Sequence, residues 1–193
     1  MDFTIISSRS AGFFTEPNYI STHEIRMQTM DFKWKEKQTK QFCQRLIAWY
    51  RREHRKLPWR ESGNPYHIWV SEVMLQQTQV ATVIPYFQRF LAAFPTIEKL
   101  AAADQQQVLK LWEGLGYYAR ARNLHKAVRA VVEKYAGKIP ANYDGFRRLA
   151  GIGPYIAAAV QSIAFDQPFA VVDENVKRTL LVNGKPERRS GRY

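Results

Sequence analysis

Val80, Val83, Ile84, Phe87, Phe90, Leu91 and Phe94 recur at the spacing that places them on one face of an α-helix. No segment of the 193-residue chain shows the alternation of a half-buried strand. The pattern restricts the chain to an all-α fold. Pro85 predicts a kink in that helix and Pro95 its end. Upstream, Phe42, Leu46, Trp49 and Tyr50 mark an amphipathic helix from Thr39 that stops before Leu57-Pro58. The turn Gly63-Asn64-Pro65 then leads into a helix around His67 to Gln77. Downstream, Thr96 and Asp104 can cap two short helices, the second with Gln107 at capping-box spacing. After the break at Gly114-Leu-Gly116, a helix should place Leu124, Val128, Val131 and Tyr135 inward and close at Gly137. Asn142 can cap a helix from Tyr143 to Ala150. Gly151 and Gly153 form a hairpin, and Pro154 opens a last, alanine-rich helix that ends near Asp166-Gln167-Pro168. Residues 1–37 carry no sustained period and read as a poorly ordered extension.

The charge is uneven. Lys33, Lys35, Lys37, Lys40, Arg45, Arg51, Arg52, Arg55, Lys56 and Arg60 stand against only Glu36 and Glu53 over that span, in a chain of net charge +12. Such a balance points to a polyanionic partner. No apolar run approaches the roughly 20 residues of a bilayer span. The N-terminus lacks the basic and apolar regions of a signal peptide. Cys43 is the single cysteine, so no internal disulfide forms, a reducing compartment fits, and a thiolate metal site has no partners. No metal site is expected.

Two carboxylates and a glycine hairpin carry the chemical information. Glu72 lies in Ser71-Glu-Val-Met-Leu-Gln-Gln-Thr-Gln-Val80, and Asp173 in Val172-Asp-Glu-Asn-Val-Lys-Arg178. Between them is Leu149-Ala-Gly-Ile-Gly-Pro-Tyr155, whose backbone N–H groups can hold phosphate where a helix begins. Taken singly, Glu72 is most simply a solvated helix residue, Asp173 the N-cap of a short helix starting at Glu174, and Tyr117 a packing residue.

With Leu57-Pro-Trp-Arg60, Gly114-Leu-Gly-Tyr-Tyr-Ala-Arg120 and Arg122-Asn-Leu-His125 also in register, the chain closely resembles the MutY-type adenine DNA glycosylases over roughly residues 41 to 178. That family belongs to the helix-hairpin-helix, endonuclease III superfamily. The resemblance implies a six-helix barrel with a helix-hairpin-helix motif, incomplete here. It divides the chain into the extension, an N-terminal helix and linker at 38–64, a glycosylase domain at 65–168 with its hairpin at 143–165, and a catalytic Asp segment with a divergent tail at 169–193.

The resemblance also assigns roles. Glu72 would protonate N7 of an adenine mispaired with 8-oxoguanine or guanine, from a site shielded enough to raise its pKa. Asp173 would stay ionised and stabilise the cationic sugar. Gln77 and Tyr117 would wedge into double-stranded DNA where the base has left the stack. Trp59, Arg60, Leu75, Thr78 and Tyr155 would line the base pocket or approach the lesion, and Gly151, Gly153 and Tyr155 would grip phosphate through backbone N–H groups. Endonuclease III enzymes carry a lysine where this chain has Tyr155, and a phenol forms no Schiff base, so base excision without lyase chemistry is expected.

Three departures stand out. Glu174 replaces a small residue beside Asp173, and Ala150 stands where proline is usual. The family's [4Fe-4S] cysteines are absent from this chain, as is resemblance after about Arg178, which suggests truncation or a frameshift. The helix carrying Phe42, Leu46 and Trp49 is then expected to expose its apolar face. The resemblance implies a monomer acting on DNA in the cytoplasm, at the nucleoid. The competing readings are a catalytically silent helix-hairpin-helix DNA binder or degenerate gene product, and an endonuclease III-type glycosylase and lyase.

Overall fold

The computed structural model describes residues 36–173 and 175–178, with side chains from Lys40 onward. The poorly ordered extension expected at 1–37 therefore lies almost wholly outside the described residues, as does Glu174. The described chain forms α1 (Glu36–Glu53), α2 (Pro58–Glu61), α3 (Pro65–Leu75), α4 (Val80–Ala93), α5 (Ile97–Ala102), α6 (Gln105–Trp112), α7 (Ala119–Tyr135), α8 (Tyr143–Arg147) and α9 (Pro154–Phe165). No strand occurs among the described residues. One compact unit is Lys56–Val171, carrying α2 to α9; a second contains α1 and the described residues from Val172 onward.

Within the first unit α3 is the central element. Tyr66 and every residue from Ile68 to Met74 are buried, so this helix has no polar face and must be enclosed on all sides. It packs against α2, α4, α7 and α9. Trp69 sits edge-on to Phe146 of α8 with ring centroids 5.1 Å apart. The Tyr66 hydroxyl donates to the Phe94 carbonyl at 2.9 Å, tying the start of α3 to the end of α4. Losing a ring as buried as Trp69 costs about 3–5 kcal/mol in a packed core.

The caps explain where the helices begin. Asn64 Oδ1 accepts from Tyr66 N at 2.9 Å with Pro65 at the first helical position, so α3 starts at the proline rather than near His67. It ends at Leu75 rather than Gln77, because Gln77 has a left-handed φ of 57°. Thr96 accepts from Lys99 N, and Gln107 Oε1 accepts from Asp104 N at 3.3 Å, at the two caps the sequence marks. Asn142 Oδ1 accepts from Gly145 N at 2.7 Å, but α8 is one turn long and stops at Arg147.

Along α4, Val80, Val83, Phe87 and Phe90 are buried, as is Phe94 just beyond it, while Ile84 and Leu91 are half-buried at the edge of the stripe. On α7 the inward set is Leu124, Val128 and Val131. Tyr135 is a correction: expected inward, it is 37 % exposed, because the helix is already turning away through left-handed Ala136 and Gly137. In the second unit, Phe42 and Trp49 of α1 are 49 % and 41 % exposed.

Candidate active site

Glu72 is 2 % exposed and, among the described residues, is the only acidic one with a buried side chain. It sits mid-way along the enclosed helix α3. Arg60 of α2 places Nη2 3.8 Å from Glu72 Oε1, and Tyr155, in the first turn of α9, hydrogen-bonds to the same carboxyl. Burial pushes the Glu72 pKa up, and the Arg60 charge and the Tyr155 bond pull it down without cancelling the rise. A carboxyl held in that way keeps its proton closer to neutral pH, which is what a general acid requires. Trp59, beside Arg60, is fully buried and packs edge-on to Phe87 at 5.2 Å. Arg60, Glu72 and Tyr155 therefore belong to one neighbourhood built from α2, α3 and α9, whereas the contact of Trp59 is with Phe87 of α4.

The hairpin lies between α8 and α9. Leu149 and Ile152 are buried and anchor it, while Gly151 is exposed. Gly151 has φ +74°, and a Cβ there would stand 2.6 Å from Asn123 Cβ on α7, so both conformation and space demand glycine. Gly153 is the N-cap of α9 and offers no side chain to its first-turn N–H groups. Those N–H groups, with the positive end of the helix dipole behind them, suit an anion. Arg147 Nη1 donates to the Ile152 carbonyl at 3.1 Å and steadies the turn.

Leu75 and Thr78 are half-buried and Gln77 is exposed in the loop after α3. Tyr117 is 61 % exposed in the loop before α7. The structure gives Gln77 and Tyr117 a common property: both are non-glycine residues with left-handed backbones, at φ 57° and 49°. Such strain gathers at functional edges of folds. The loops that carry them meet on Arg120, a residue the motif block contains but to which sequence reasoning attaches no role. Its local signal is weak: a cation in the first turn of a helix, opposed by the dipole. Its acceptors at the end of α3 and in the loop that follows lie 42 to 47 residues upstream, beyond the reach of any local pattern.

Asp173 belongs to the second unit. Its Oδ1 accepts from Val176 N at 2.7 Å and its Oδ2 from Asn175 Nδ2 at 3.3 Å, so it caps the turn that follows, as its sequence setting suggests. A groove of about 370 Å³ in the first unit is lined by residues of the α2–α3 turn, the α4–α5 turn, the α7–α8 loop and Phe165, and by none of the site residues. Among the described residues no helix is long and apolar enough to cross a membrane, and no His, Cys, Asp and Glu cluster could hold a metal ion.

The chain is similar to known DNA repair proteins. Residues 70–184 match the HhH-GPD superfamily of base excision DNA repair proteins. The chain is 47 % identical over 148 residues to the adenine DNA glycosylase of Rattus norvegicus, a match covering 72 % of this chain and 29 % of that protein. It is 44 % identical over 141 residues to the adenine DNA glycosylase of Buchnera aphidicola subsp. Baizongia pistaciae, covering 72 % of this chain and 40 % of the relative. Both matches thus span well under half of the relatives' length. Among solved structures, a thermostable thymine-DNA glycosylase superposes with a TM-score of 0.70 at 28 % identity, covering 75 % of this chain and 67 % of the other. A trapped endonuclease III–DNA covalent intermediate superposes at 0.65 and 27 % identity with the same coverage.

Proposed function

Because the chain belongs to the HhH-GPD superfamily of base excision DNA repair proteins, we propose that it hydrolyses the N-glycosidic bond of adenine mispaired with 8-oxoguanine or guanine. It leaves the DNA strand uncut. The observation that carries this reading is the buried Glu72 with its raised pKa, held between Arg60 and Tyr155. The relatives named adenine DNA glycosylases, which match at 40 to 48 % identity, supply the base.

In this reading Glu72 gives its proton to N7 of an adenine turned out of the duplex. The C1′–N9 bond then breaks and its electron pair leaves with the base. The Asp173 side chain stabilises the cationic sugar until water adds to C1′ and releases a proton, giving an abasic site. Gln77 and Tyr117 occupy the space the base vacated, and the N–H groups of Gly151, Gly153 and Tyr155 hold phosphate. Tyr155 stands at the start of α9 with a phenol, which cannot form the Schiff base of a lyase. The chain acts as a monomer on double-stranded DNA at the nucleoid.

A four-thiolate iron–sulfur cluster does not fit this chain, whose single cysteine is the exposed Cys43 on α1. No step is assigned to such a cluster. A second reading is a helix-hairpin-helix protein that binds DNA without turnover, supported by the glycine hairpin that presents the first-turn N–H groups of α9.

Single-turnover excision on an A:8-oxoG duplex, run beside Glu72→Gln, separates the two. Adenine release by the parent and none by the variant supports the enzyme. Equal silence with salt-sensitive DNA binding supports the binder. A borohydride-trapped protein–DNA adduct would refute the monofunctional assignment.

A further inference from the structure

Arg120 occupies the first turn of α7, where no acidic residue offsets it and the helix dipole opposes a cation. Its side chain reaches away from its own helix. Nη1 donates to the carbonyls of Val73 at 3.1 Å and Met74 at 2.8 Å, and to that of Gln76. Nη2 donates to Thr78 Oγ1 at 3.3 Å, Leu115 O at 3.3 Å and Gly116 O at 3.2 Å. The guanidinium thus serves two clients.

The first client is the C-terminus of α3. That helix has no basic residue in its last turn, and although Thr78 N returns to Leu75 O beside left-handed Gln77, the carbonyls of Val73, Met74 and Gln76 take side-chain partners. Arg120 supplies them from another helix, with its charge at the favourable end of the α3 dipole. The second client is the turn at Leu115 and Gly116, where Trp112 Nε1 also donates to Gly116 O at 3.1 Å.

The two bonds that matter most are those to Gln76 O and Gly116 O. Each is the carbonyl immediately before a left-handed non-glycine residue, Gln77 in one loop and Tyr117 in the other. Fixing that carbonyl fixes the peptide plane from which the strained residue departs. The guanidinium carbon also lies 5.3 Å from the Tyr117 ring centroid and 5.7 Å from that of Trp112, a cation–π arrangement.

We propose that Arg120 is a positioning residue that locks the 75–78 and 114–117 loops together, so that Gln77 and Tyr117 meet DNA as one preset, two-pronged edge. This rests on the proposed base-excision reading for what the prongs enter, whereas the lock itself is a property of the free protein. Spanning both loops requires a planar fork. A lysine at this position keeps the charge but gathers its donors at one nitrogen and cannot reach the two sets of carbonyls at once.

The test uses the full chain with Arg120→Lys and Arg120→Met, beside Tyr117→Ala, which removes one prong and its ring contact with Arg120 but leaves the hydrogen bonds of the lock. Amide hydrogen exchange of the free proteins should show both loop segments, residues 74–79 and 113–118, exchanging at least tenfold faster in the Arg120 variants. The hairpin at 148–155 should exchange as in the parent. In binding, the parent should prefer a duplex with a tetrahydrofuran abasic site over the same intact duplex. The Arg120 variants should lose at least tenfold of that preference while binding intact duplex as before, and Tyr117→Ala should lose it with exchange at 74–79 unchanged.

Should Arg120→Met lose its cooperative melt, Arg120→Lys is the variant to be read. Unchanged exchange, loosening of one loop alone, or a parallel loss of affinity for both duplexes would overturn the proposal. A parent with no preference for the abasic duplex would count against the base-excision reading, and the exchange experiment would still decide the lock.

Discussion

The Arg60 guanidinium stands 3.8 Å from the Glu72 carboxylate, yet burial of Glu72 outweighs it and leaves the carboxyl harder to ionise than a solvated glutamate. That balance makes the pair a pH-tuning device. Its two members should respond in different ways to substitution.

Glu72→Gln should lower excision roughly 10²–10⁴-fold, the usual contribution of a general acid, and should stabilise the fold at neutral pH. The folded pKa lies above the ordinary value of 4.5. Between 4.5 and the folded pKa the native state holds more protons than the unfolded chain, so stability falls as pH rises through that window. Thermal melts of parent and variant should therefore separate most above the window and converge below pH 4.5.

Arg60→Gln removes a cation that favours ionised Glu72. The Glu72 pKa should rise further, and the alkaline limb of the single-turnover pH–rate profile should move to higher pH. A profile displaced to lower pH, or unmoved, would contradict the assignment of Glu72 as the acid.

His125 should give acid sensitivity of the opposite sign. It is 4 % exposed, and burial lowers its pKa below 6.5, aided by Arg129 and opposed by the nearby Ala103 and Leu100 backbone and by Asp104. The unfolded chain then binds more protons below pH 6.5, so His125 stabilises the fold above that pH and the contribution fades as pH falls through and below it. In His125→Gln the melting temperature should vary less between pH 7 and pH 5.

The two hairpin glycines should separate folding from binding. Gly151→Ala forces a left-handed backbone costing about 1–2 kcal/mol, with its Cβ only 2.6 Å from Asn123 Cβ, and should lower the melting temperature. Gly153→Ala meets open space at an ordinary φ of −79°, so the melt should hold while the added methyl keeps phosphate away and weakens DNA binding. Equal effects of the two on stability would show that the hairpin geometry is not what sets them apart.

The order of the helices and most of their ends are legible in the residues alone. Apolar positions repeating at 3.6 leave a chain no alternative to helices, and Asn64, Thr96 and Asn142 cap where their side chains can reach an N–H two or three residues on. Glu72 is legible as a candidate acid through the motif that surrounds it. Tyr135 escapes the pattern because periodicity continues on paper past the point where Ala136 and Gly137 turn the backbone.

Packing settles what no local pattern holds. Whether Glu72 keeps its proton depends on Arg60 and Tyr155 from other helices, since desolvation and charge act through space. The joining of Gln77 to Tyr117 depends on one guanidinium whose acceptors are up to 47 residues away. Periodicity and capping record what neighbouring residues do to one another; a hydrogen bond across that distance exists only once the core has packed and brought the two loops to the same place.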